Sequence, residues 1–131
     1  MEFLLDTHAL IWFLNGDKNL PEKTKKTIED ENNTCFVSIA SLWEMAIKIS
    51  KGNRLLLNVE FDEIDNAIAE LNIGVIPIET SHLRIISLLK FHPNHKDPFD
   101  RIIIAQAKTE KLSLISIDKE FKKYGVKLLW D

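Results

Sequence analysis

Residues 1–14, MEFLLDTHALIWFL, decide how this chain is read: an apolar run meets a single aspartate, and a helical pattern starts directly behind it. Phe3, Leu4 and Leu5 do not alternate with polar residues, the pattern of a strand covered on both faces in a parallel sheet. Asp6 follows at the carboxyl end of that strand. Thr7 is placed to cap a helix from His8 to Asn15, where Leu10, Ile11, Phe13 and Leu14 supply apolar surface. Ligands of open α/β sheets bind beyond the carboxyl ends of the strands, so Asp6 faces the usual site. Taken alone, an aspartate at a strand-to-helix turn is ordinary capping chemistry. Acids recurring at equivalent places change that reading.

Outward from this stretch, Gly16 and Asp17 make a turn, and Pro21 opens a polar helix with Thr24, Lys25 and Ile28 that fades at Asn32 and Asn33. Thr34 to Val37 is a second strand. Ser38 caps a helix from Ile39 to about Ser50, with Ile39, Leu42, Trp43, Ala46 and Ile47 at helical spacing and Gly52 beyond its end. A helix over Phe61 to Leu71 precedes a third strand, Ile73 to Ile78, with Pro77 near its end, and Thr80 caps the helix Ser81 to Lys90. The polar run 92–96 has loop composition, and such loops often line sites. Asp97 followed by Pro98 is a helix start, acid at the cap and proline at the first position, continuing to Lys111. Leu112 to Ile117 is the fourth strand and ends at Asp118, repeating the arrangement at Asp6. Val126 to Trp130 is the last strand. Alternating strands and helices predict an α/β fold with a mainly parallel sheet.

The totals bound the class. A chain of 131 residues, 45% hydrophobic and 28% charged, suits one domain with no linker. The single Cys35 excludes an intramolecular disulfide and a cysteine-based zinc cluster, and reads as a buried free thiol suited to a reducing cytoplasm. No stretch approaches the ~20 apolar residues of a membrane span, and the N-terminus lacks the pattern of a signal peptide, so a soluble intracellular protein is expected. A formal net charge of -3 and a pI of about 5.8 argue against a protein that holds nucleic acid by a basic surface alone, though not against a metal-bridged substrate. Lysines cluster at Lys23, Lys25 and Lys26, at Lys48 and Lys51 with Arg54, and at Lys119, Lys122 and Lys123. Each cluster taken singly is a solvated helix face.

Four acids remain. Asp6 and Asp118 follow apolar strands. Asp100 sits in a first helical turn on the side of Ile103, Ile104 and Ala107, where stabilising the helix N-terminus would be worth about 0.3 to 1 kcal/mol. Glu44 has Lys48 at i+4, the order of a surface ion pair, and fits a capping box begun by Ser41. Carboxylates gathered at one sheet edge repel one another unless protons or a hard cation are present, so the natural occupant is Mg²⁺ or Mn²⁺ with oxygen ligands. No H-E-x-x-H helix supports zinc, and Gly52, Gly74 and Gly125 form no phosphate-binding loop of either common type. The chemistry suggested is metal-assisted phosphodiester hydrolysis.

Four segments then carry a resemblance: LLDTHALIWFL (4–14), VSIASLWEMAIKISKGN (37–53), HKDPFDRIIIAQA (95–107) and LISIDKEF (114–121). In that order, over nearly the whole chain, they resemble the PIN-domain ribonucleases and, more narrowly, the VapC toxins of VapBC-type toxin–antitoxin pairs. The resemblance implies a PIN-like three-layer α/β/α sandwich, residues 1–131 as one PIN domain, and Mg²⁺- or Mn²⁺-dependent endoribonuclease activity. It matches Asp6, Glu44 and Asp100 to the family's core acids and Asp118 to its more variable fourth. Thr7 and Ser116 stand where the family often has hydroxyls near the metal, and Asp97 is either a further ligand or, preferably, a helix cap. RNA as substrate, a small VapB-like antitoxin over the groove, and a homodimer are the partners implied. Arg101, Lys96 or His95 could orient phosphate, with a solvated role as the safer reading. Trp12, Trp43 and Phe99 could stack bases, with core packing preferred. The competing readings are a PIN-type processing nuclease without an antitoxin and a non-catalytic α/β binding module. A phospho-acceptor receiver fits neither the third strand nor the lysine such a site needs.

Overall fold

An unalternating apolar strand needs a layer of helices on each face, and β1 (Glu2–Leu5) has both. The computed structural model describes residues 1–52, 59–90 and 97–131. Four further strands join β1 in one sheet: β2 (Thr34–Ser38), β3 (Gly74–Ile76), β4 (Ser113–Ile115) and β5 (Leu128–Leu129). The order is β3-β2-β1-β4-β5, and each neighbouring pair is parallel. In register, Leu5 pairs with Val37 on one side and Ile115 on the other.

The period of the strand divides the core. Phe3 and Leu5 face one way, with Val37 and Ile115, into Ala9, Leu10 and Ile11 of α1 (Thr7–Asn15), Leu42 and Met45 of α3 (Ile39–Ser50), and Ile64 and Ile68 of α4 (Phe61–Glu70). Leu4 and Leu114 face the other way, into Ile103, Ile104 and Ala107 of α6 (Pro98–Glu110) and Phe121 and Tyr124 of a 3-10 helix (Lys119–Tyr124). α2 (Glu22–Glu29) buries Thr24 and Ile28, and α5 (Thr80–Leu88) packs on α6. The result is the three-layer α/β/α sandwich, with a sheet that is parallel throughout its described strands rather than mainly so. Burial pushes the Cys35 thiol up to about 11, which keeps it protonated. Among the described residues, no helix is long and apolar enough to cross a membrane.

Several boundaries differ from those the sequence predicts. α1 starts one residue early, because Asp6 and not Thr7 is its cap: the Asp6 carboxylate accepts the Ala9 N–H at 2.8 Å. α5 likewise starts at Thr80, capped by Glu79, whose own N–H donates at 3.0 Å to Nδ1 of the buried His82. Ser38 caps α3 as expected, accepting from Ala40 N–H at 3.0 Å, so Ser41 lies inside the helix and begins no capping box with Glu44. β3, β4 and β5 are shorter than their apolar runs; Pro77, with no N–H, stands one residue past β3. Arg54 and the loop 92–96, with His95 and Lys96, lie outside the described residues.

The topology locates the site. From β1 the chain lays down β2 and β3 on one side, then returns to place β4 on the other side of β1. The switch point therefore falls between β1 and β4, where their flanking connections diverge and open a crevice at the carboxyl ends.

Candidate active site

Asp6 and Ser116 face each other across that crevice. Each follows the end of its strand, and the Ser116 hydroxyl donates a hydrogen bond to Oδ2 of Asp6. The other carboxylate oxygen, Oδ1, takes the Ala9 N–H. Both side chains are buried. The link continues, since the Asp118 N–H donates to Ser116 Oγ at 3.0 Å, so the backbone leaving β4 is tied through one hydroxyl to the carboxylate leaving β1. On the other flank the Thr7 hydroxyl donates to Ser41 Oγ at 2.9 Å, fastening α1 to α3 among buried atoms. Ser41 is a member of this network that the sequence reading took for a cap.

Three more elements bring acids toward Asp6. α3 supplies Glu44, α6 supplies Asp100, and the cap of the 3-10 helix that follows β4 supplies Asp118. Burial raises the Asp6 carboxyl above the usual range, with Asp118 adding to the rise while Ser116, Ala9 and the exposed His8 oppose it. Asp100 is pushed up to about 7, first by burial and then by the charges of Asp97, Asp6, Glu44 and Asp118. One carboxyl thus feels all four of the other acids singled out from the sequence. Such a pile of like charge costs folding free energy and serves no packing purpose, a pattern characteristic of functional sites.

The individual side chains are nevertheless turned to local partners. Asp97 caps α6, its Oδ1 accepting the Phe99 N–H at 2.8 Å and the Asp100 N–H at 3.4 Å. Asp118 caps the 3-10 helix through the Glu120 N–H at 2.9 Å, and Glu44 lies 3.6 Å from Lys48 Nζ. Among the described residues, no three His, Cys, Asp or Glu side chains close into a ligating set. These acids would offer only oxygen and negative charge, which suits a hard divalent cation better than zinc or copper.

Around the acids the remaining candidates divide. The Arg101 guanidinium donates to the carbonyls of Leu89 at 3.3 Å and Lys90 at 3.4 Å, so it holds the chain leaving α5 against α6. Trp12 is partly buried and packs between His8 and Trp130 with tilted rings, each pair of centroids 5.7 Å apart. Trp43 departs from the core role preferred for it: it is 57% exposed and meets Phe99 edge to face at 5.0 Å. Clefts of about 400 Å³ below Lys108, Lys111 and Lys127, and of about 380 Å³ beside Cys35, are lined by none of the acids of the site.

A family model for the PIN domain matches residues 3–127. No curated protein matches the chain. Three solved structures among those that match share its fold. VapBC2 from Rickettsia felis bound to a promoter DNA fragment has a TM-score of 0.75 at 18% identity, covering 100% of both chains. DNA-bound VapBC from Salmonella typhimurium has a TM-score of 0.66 at 18% identity, covering 98% of this chain and 97% of that one. VapC20 of Mycobacterium tuberculosis, described as a sarcin–ricin loop cleaving toxin, has a TM-score of 0.65 at 14% identity, covering 98% and 99%.

Proposed function

Because the chain belongs to the PIN-domain family, we propose that it is a divalent-metal-dependent endoribonuclease acting as the toxin of a VapBC-type toxin–antitoxin module. What supports the reading is that Asp100, on α6, is raised by the charges of Asp6, Glu44 and Asp118, which lie on other segments of the chain, near the switch point of the sheet. The likeness in fold to two VapBC complexes and an RNA-cleaving toxin supports the module over a free-standing nuclease. A binding module would have no reason to retain so unfavourable a charge cluster.

In this reading Asp6, Glu44, Asp100 and Asp118 hold the metal, Mg²⁺ or Mn²⁺, and Asp97 stays a cap. Such an ion, when bound, would supply positive charge toward a phosphodiester and acidify water for its hydrolysis. The protein's own part is positioning. Ser116 fixes Oδ2 of Asp6 and, by accepting the Asp118 N–H, sets the path of the chain that carries the fourth acid. Thr7 and Ser41 hold α1 and α3 together, which keeps Glu44 in register with Asp6. Arg101 steadies the N-terminal turn of α6 beside Asp100. The substrate is RNA in the cytoplasm, the whole of 1–131 works as one domain, and a second copy and a small antitoxin complete the assembly.

Expression of the chain in a bacterial host tests the module. Growth should stop, should continue with Asp6→Asn, and should be restored by co-expressing a short reading frame adjacent to the gene. Undisturbed growth in the absence of any antitoxin would favour the processing nuclease.

A further inference from the structure

Two aromatic rings sit beside two of the acids in the chain. Trp43 immediately precedes Glu44 on α3, and Phe99 immediately precedes Asp100 on α6. The rings meet edge to face, centroids 5.0 Å apart and planes at 80°. Such a pair is favourable beyond the area it buries, and here it couples the two helices that carry those acids. Yet Trp43 remains 57% exposed, so Phe99 braces the indole without covering it. A single exposed apolar side chain needs no explanation, but the largest one among the described residues, fixed by a second ring on the helix that carries Asp100, does.

We propose that Trp43, braced by Phe99, is a stacking platform for an unpaired RNA base next to the scissile phosphate. This rests on the endoribonuclease reading and extends it to substrate positioning. Unpaired bases offer a π-face whatever their identity, and stacking on an aromatic side chain is the general way proteins hold single strands. The platform also answers a problem of charge. The chain carries a net charge of -3 and the site is acidic, so an uncharged contact adds a hold on the strand that the charge of the site does not oppose. Trp43 is thus a positioning residue that acts on the base, while the acids act on the phosphate. Duplex RNA, whose bases are already stacked and paired, cannot use it.

The test pairs protein variants with RNA variants. Binding of a single-stranded RNA oligomer is compared with binding of an oligomer of the same length lacking bases, both with Ca²⁺ as a hard cation of oxygen ligands. The wild-type chain should bind the base-bearing oligomer about tenfold more tightly than the abasic one. Trp43→Ala should lose about tenfold on the first and nothing on the second, and Trp43→Phe should keep most of the binding. Indole fluorescence should be quenched by the base-bearing RNA in the wild type, with most of the quenching gone in Trp43→Phe although Trp12 and Trp130 remain. Equal losses on both oligomers, no loss on either, or no binding by the wild-type chain would overturn the platform. So would a change from dimer to monomer in Trp43→Ala with RNA affinity intact, which would assign the ring to a protein interface. Cleavage is read separately: metal-dependent cleavage with an unchanged KM in Trp43→Ala removes the platform and leaves the nuclease, while the binding contrast without cleavage does the reverse.

Discussion

At the scale of the residue, Asp100 works against the fold that holds it. An acid in the first turn of a helix is worth about 0.3 to 1 kcal/mol to the helix, but burial and four neighbouring acids raise this carboxyl to about 7 from an ordinary 3.8. Between those two values the folded chain binds a proton that the unfolded chain has released, so stability falls as pH rises from about 4 to about 7. Asp100→Asn removes the charge and keeps the shape. Without added metal it should therefore be more stable than wild type at pH 8 by about 1 to 2 kcal/mol, allowing for solvent screening, with the gap closing only as pH falls to about 4. Thermal melts of the two proteins across pH check this; a less stable variant at pH 8 would mean that Asp100 is only a helix-stabilising acid. The acids were visible in the sequence as strand-end and first-turn residues, but their mutual approach was not, because nothing in the local pattern at Glu44 reports what α6 brings near it. Trp43 was misjudged for a related reason: its helical spacing with Leu42 and Ile47 describes one helix, whereas its exposure depends on how that helix meets α6.

At the scale of the element, capping decides positions that hydrophobic periodicity cannot. Asp6 and Thr7 are both good caps, and the chain uses Asp6, which fixes the carboxylate at the mouth of the crevice and frees the Thr7 hydroxyl for Ser41. Ser38 and Ser41 pose the same choice, and the boundary of β2 resolves it in favour of Ser38. Asp97 allows a direct test of cap against ligand, since asparagine caps about as well as aspartate and carries no charge. Asp97→Asn should keep both stability and nuclease activity near wild type, while Asp97→Ala should lose about 1 kcal/mol in a denaturant melt. A hundredfold loss of activity in Asp97→Asn with stability intact would make Asp97 a ligand.

At the scale of the molecule, the order β3-β2-β1-β4-β5 turns a local motif into a site. The alternation of apolar runs and helices was enough to read a parallel sheet, and the continuous Phe3-Leu4-Leu5 run enough to require helices on both faces. Strand order is set by which strands sit next to β1, information spread over the whole chain, and it is the return of the chain to β4 that places Ser116 and Asp118 beside Asp6. A fold that gathers carboxylates in this way should be stabilised by the ion that relieves them. Mg²⁺ or Mn²⁺ at a hundred times its dissociation constant should add about 2.7 kcal/mol, raising the melting temperature by several degrees, reversibly with EDTA. Asp100→Asn should show a much smaller rise. Equal rises in both proteins would place the ion elsewhere.

The most direct test of the whole account is cleavage of single-stranded RNA by the purified chain, with Mg²⁺ or Mn²⁺ against EDTA, and with Asp6→Asn alongside. Cleavage should require the metal and fall by a hundredfold or more in Asp6→Asn while the variant remains folded. Cleavage that persists in EDTA, or at the wild-type rate in Asp6→Asn, would contradict it.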